Sequence, residues 1–153
     1  MTAKHQTLRL FPTPVVLGEI DDADALNAEL EAAITARMES DPGVRRSNLG
    51  GWHSKPDFAA WAGAAGQALI GQAVGLANAN TVNAQGQDVA LRWRVEAWAN
   101  VSGSGHSNAS HIHGGAYWSG VYYVRAEGGE SGHLLLHDPR MPSQRPTGVG
   151  APG

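Results

Sequence analysis

The chain has 153 residues, room for one ordinary domain and too few for two. Apolar residues make up 42% and the formal net charge is only −3, so a core can form and wholesale disorder is disfavoured. Eleven Lys and Arg against fourteen Asp and Glu leave no basic excess to neutralise phosphates, which argues against nucleic acid as the main partner; with no cysteine, disulfides, thiolate metal sites and a cysteine nucleophile are excluded.

In the N-terminal stretch, Arg9, Pro12 and Pro14 interrupt any signal-peptide apolar core, so a cytoplasmic location is expected. Residues 8–17 read as an extended opening segment, kept out of a helix by the two prolines. Leu26, Leu30, Ile34 and Met38 then repeat every four residues and predict an amphipathic helix within 21–40. Asp21 or Asp22 can cap its first turn, and Asp41-Pro42-Gly43 ends it.

Residues 47–57 form a glycine-bearing connection. Ser54 with Asp57 three positions later matches a capping box and opens a second helix, with Phe58, Trp61, Ala65, Leu69 and either Ala73 or Val74 as its buried stripe. Gly63, Gly71 and Gly75 each weaken that helix by about 1 kcal/mol relative to Ala. They either mark a close approach by another element or are simply tolerated in an Ala-rich segment. From Phe58 to Gln87 no residue is charged, long enough on paper to span a bilayer. Gln67, Gln72 and the dominance of Ala and Gly favour a helix in water instead.

Beyond a polar turn at 81–88 the period drops to two. Val89, Leu91, Trp93, Val95 and Ala97 alternate with Ala90, Arg92, Arg94, Glu96 and Trp98, which predicts a strand with one face in a core. A Gly/Ser/Asn loop follows, then His111-Ile112-His113, a Gly114-Gly115 break and a strand over 116–124. Gly128-Gly129 turns the chain into a further strand over 132–138, closed by Asp138-Pro139. Asp138 and Arg140 can pair or cap a turn. Two helices followed by antiparallel-looking strands give an α+β domain over residues 1–140, with a Pro/Gly-rich loop or tail at 141–153.

Five of the seven histidines, His106, His111, His113, His133 and His137, lie in the last third. On an extended backbone His111 and His113 point to one side, so both imidazoles can reach one metal ion such as Fe, Zn, Cu or Ni. The alternative is a pair of solvated loop histidines. In the following strand Tyr117, Ser119, Val121 and Tyr123 share one face, and Trp118, Gly120, Tyr122 and Val124 the other. Both faces can be packed in a sandwich, or the tyrosine hydroxyls can line a pocket. His53 reads as a turn residue. No phosphate-cradling loop or nucleophile elbow is present, and no residue is assigned as catalytic.

Six segments in order carry a family resemblance: Leu10-Phe11-Pro12-Thr13-Pro14-Val15, Gly50-Gly51-Trp52-His53-Ser54, Trp98-Ala99-Asn100, His111-Ile112-His113, Ser119-Gly120-Val121-Tyr122-Tyr123-Val124, and Gly132-His133-Leu134 with Asp138-Pro139-Arg140. Together they resemble the 2-oxoglutarate–Fe(II) oxygenases of bacteria and phages that are distantly similar to prolyl 4-hydroxylases. The resemblance implies helices packed on a double-stranded β-helix, the jelly roll, with Fe(II) as cofactor and 2-oxoglutarate as cosubstrate. It implies His111 and His113 as iron ligands and Tyr117, Ser119 and Tyr123 beside the cosubstrate. The usual carboxylate of the facial triad is here His113, which leaves room for a three-histidine site, with His53, His133 and His137 as candidates for the third ligand.

The roll is expected to be incomplete in this chain, because about five strands can be placed where eight are needed. Either the chain is truncated at its C-terminus or something else completes it. An unfinished roll exposes a sheet edge and one face of its core, so a homodimer or poor solubility is expected. The activity implied is hydroxylation of an unidentified small molecule or side chain, with no membrane partner. The alternatives are an inactive fragment or binding module of the same fold, and a cupin-like metalloprotein ligated through histidines.

Overall fold

The computed structural model describes residues 13–89, 91–127 and 132–137. Residues 8–12 of the opening segment, the Gly128-Gly129 turn, Asp138, Arg140 and the tail from 141 lie outside the described residues.

Helix α1 spans Asp24–Ser40. Its Ala-, Leu- and Glu-rich sequence favours the helix, and the four-residue repeat turns Leu30 fully inward with Leu26, Ile34 and Met38 packed around it. Neither Asp21 nor Asp22 caps it: the N-cap position is Ala23, which makes no side-chain capping bond. The C-terminus stops where the proline predicts, at Asp41.

The expected second helix is split. Helix α2 covers Phe58–Trp61, and α3 runs Gly63–Ala79 after a break at Ala62. The predicted capping box does not form. Ser54 Oγ donates to the Lys55 carbonyl and accepts the Ala99 N–H, while Asp57 accepts from Trp61 Nε1 and from Arg37. The bonds to Ala99 and Arg37 outcompete a local cap because they join separate segments around the core. Phe58, Ala62 and Ala65 are buried; Val74, rather than Ala73, continues the stripe as a half-buried residue. Gly71 and Gly75 face open space, so they are tolerated glycines and not close-packing sites. Helix α3 packs on both α1 and α2.

Four two-residue strands complete the regular structure: β1 (Asn48–Leu49), β2 (Trp52–His53), β3 (Asn100–Val101) and β4 (Ser107–Asn108). They form two antiparallel pairs, β1 with β4 and β2 with β3, in registers Asn48↔Asn108 and Trp52↔Val101. The Ser54 N–H bond to the Ala99 carbonyl carries the second pairing further. Gly43, Gly50 and Gly51 permit the tight approach here; at Gly43, with φ +75°, a Cβ would lie 2.5 Å from the His53 carbonyl oxygen.

The jelly roll is therefore corrected. Among the described residues the fold is mostly helical, with two small two-stranded sheets and no closed roll. Of the expected strands, the described residues 91–98 and 116–124 have no ladder partners, with bends at Tyr117 and Val124, and 132–137 likewise forms no strand. Period-two alternation fixes which side chains share a face, but a strand also needs a neighbour to hydrogen-bond. The 116–124 run is instead laid on the helices through side chains. Trp118 Nε1 donates to Thr81 Oγ1 at 2.8 Å, Tyr122 donates to Asn27 Oδ1 at 2.7 Å, and Arg125 pairs with Glu31. The core comprises Leu30, Trp52, Phe58, Ala62, Ala65 and Ala99. No helix among the described residues is long and apolar enough to cross a membrane.

Candidate functional site

Beyond β4 the short run 109–113, ahead of the turn at Gly114-Gly115, brings the two predicted ligands together. The His111 and His113 rings meet edge to face with centroids 4.8 Å apart. His111 Nδ1 lies 2.7 Å from the Ala109 carbonyl. A carbonyl can only accept, so Nδ1 carries the proton and Nε2 is the open nitrogen. That is the tautomer a metal-ligating histidine uses, with the far N–H anchored by a backbone oxygen.

His113 also touches Trp98, whose ring lies 5.4 Å away, and Trp98 stacks nearly parallel on His53 at 5.7 Å. His53 is buried, with Nδ1 2.6 Å from the Ser54 carbonyl. The four rings His53, Trp98, His113 and His111 thus form a connected series. Sequence spacing alone did not reveal the link between His53 and the His-x-His pair. The signal was the order of the Gly-Gly-Trp-His-Ser and Trp-Ala-Asn segments, which the β2–β3 pairing brings side by side.

The remaining histidines do not join. His106 accepts the Gly103 N–H at Nδ1 and packs against Gly50 and Gly51. His133 and His137 are exposed. Among the described residues no three or more His, Cys, Asp or Glu side chains are grouped so as to hold a metal ion. This corrects the expectation of a metal-binding dioxygenase centre: two imidazoles converge and a third ligand does not. An iron site of the facial type needs three protein ligands, so the described residues do not fit the ion.

Tyr117, Ser119 and Tyr123 are the residues expected beside the cosubstrate. They do share a face, as alternation requires, but that face is open, with Tyr117 67% exposed. A pocket for a small dicarboxylate would enclose most of its surface and aim a cation into it. Tyr117 is instead flanked by Trp93, 5.8 Å away, and the nearby Arg125 is engaged by Glu31 and Glu127. A shallow depression lies on α1, lined by α1 residues alone, among them Ala28, Thr35 and Glu39.

No curated protein and no solved structure matches this chain. Residues 96–151, a little over a third of the chain and including the His-x-His pair and the tyrosine run, match the sequence family described as "Putative 2OG-Fe(II) oxygenase", a link at the level of that superfamily.

Proposed function

We propose that this chain is a non-catalytic relative of the 2-oxoglutarate–Fe(II) oxygenases and works as a binding module. It presents the strip formed by His111, His113, Tyr117, Ser119 and Tyr123 to a partner surface instead of enclosing iron and 2-oxoglutarate. The observation that carries this reading is the incomplete ligand set: His111 and His113 converge, and no third ligand joins them among the described residues. The exposure of Tyr117 and Tyr123 supports it, because a reacting cosubstrate needs a site that excludes water.

Anaerobic titration of the chain with Fe(II) and 2-oxoglutarate tests the proposal. The expected result is no visible metal-to-ligand charge-transfer band and no succinate formed once oxygen is admitted. A charge-transfer band that disappears in His111→Ala would overturn the reading and establish an assembled iron site.

A further inference from the structure

The run Tyr117–Val124 has two unlike faces. Trp118, Tyr122 and Val124 turn toward the helices and are half-buried, whereas Tyr117, Val121 and Tyr123 look outward, 67%, 59% and 46% exposed. Among the described residues, no backbone N–H or C=O of 117–124 is hydrogen-bonded. Between bends at Tyr117 and Val124, the alternating stretch 118–123 with its backbone groups unused is a template for another strand. Natural edges are blunted by Lys, Pro or a bulge, yet Ala116–Val124 holds no charged residue and no proline.

We infer that this run pairs antiparallel with the same run of a second copy, making a two-fold dimer with one continuous two-stranded ribbon. The inference rests on reading the tyrosine strip as an open binding face, and it names the partner. The run is complementary to itself. A two-fold axis normal to the ribbon at Val121 keeps both helical layers on one side and both tyrosine faces on the other. Val121 then faces its own copy, and Ser119 faces Tyr123. Gly120 faces Tyr122, whose ring covers the bare glycine backbone. No like charges oppose one another, because residues 118–124 carry no charge, and Arg125 beyond them already has Glu31 as a partner within its own copy. Each copy satisfies backbone groups of the other, which is the β-augmentation mode of recognition applied to an identical chain.

Light scattering on the full chain over about a hundredfold range of concentration tests this through the mass-action shift between monomer and dimer. The expected mass at the upper end is twice the 16.0 kDa chain. Val121→Lys, at an outward position, brings two ammonium groups face to face and is expected to raise the dimer dissociation constant about tenfold or more. Leu76→Lys, at an exposed site on α3, is expected to leave it unchanged. Because the native chain has no cysteine, Val121→Cys supplies a second readout that does not depend on the lysine variant folding. Mild oxidation is expected to give a covalent dimer, and Leu76→Cys is expected to give none. A monomer at every concentration, a dimer indifferent to Val121→Lys, or no crosslink through Val121→Cys would each overturn the inference. Failure here is separable from failure of the non-catalytic reading: a monomer without a charge-transfer band overturns only the second copy as partner, and a dimer with such a band overturns only the absence of catalysis.

Discussion

Asp41 ties the end of α1 to the segment that carries His53. Its carboxylate accepts the Gly43 N–H at 2.9 Å, Arg37 at 2.9 Å and Lys55 Nζ at 3.2 Å, while its backbone carbonyl accepts Trp52 Nε1 at 2.8 Å. The Gly43 N–H bond first, then the Lys55 bond, hold the carboxyl below the ordinary aspartate range; burial opposes them, and the positive charges of Lys55 and Arg37 add to the lowering. A carboxylate whose pKa is depressed on folding contributes stability that is full above the unfolded value of about 3.9 and fades as pH falls through the lower folded value. Asp41→Asn is therefore expected to lower the melting temperature at neutral pH and to converge with the parent chain at strongly acid pH. Thermal melts from neutral to about pH 2 check this, and a difference that stays constant below about pH 4 would contradict it.

At the scale of elements, α3 contains weak points that the fold does not use. Gly71 and Gly75 are exposed, within a helix, and a methyl group added at either would meet nothing within 4 Å. Replacing each with Ala reduces the entropy of the unfolded chain and removes the helix penalty, so Gly71→Ala and Gly75→Ala are each expected to stabilise by about 0.5–1 kcal/mol. Urea denaturation midpoints measure the gain; a loss would mean that another surface closes on this helix. The same reasoning separates these glycines from Gly43, where positive φ and the His53 carbonyl leave no room for a Cβ. Periodicity made α1 and the stripe of α2–α3 legible from the sequence. The break at Ala62 coincides with Gly63, whose φ of +61° leaves the right-handed helical region; the sequence marked that glycine as a weak point in the helix but did not show that the helix divides there.

At the scale of the molecule, the extended layer is fastened to the helices by a few side-chain hydrogen bonds more than by a sheet. Tyr122 to Asn27 reaches across 95 positions and Trp118 to Thr81 across 37. Tyr122→Phe removes the donor, keeps the ring packed on the core, and leaves Asn27 half-exposed to water. It is expected to cost about 0.5–1.5 kcal/mol, the usual net value of one such bond. Urea denaturation midpoints measure that loss; unchanged stability would show that the layer is held by something other than this contact. The tertiary arrangement also explains the open tyrosine face: the helices occupy one side of the layer, and none of the described residues covers the other.

Local sequence was enough to specify the amphipathic helix α1, its stop at Asp41-Pro42, the two-faced character of 117–124, and the adjacency of His111 and His113. All of these depend on periodicity, on proline geometry or on neighbours two residues apart, which a linear pattern encodes directly. Only the folded chain settles that the described residues of the strand-like runs find no ladder partner among the described residues of the same chain, that the capping box gives way to Asp57–Arg37 and Ser54–Ala99 contacts, and that His53 reaches the histidine pair through Trp98. It also settles that no third ligand arrives among the described residues. Pairing and ligation require groups far apart in the chain to meet at hydrogen-bond or coordination distance, and no spacing rule within a segment specifies that meeting.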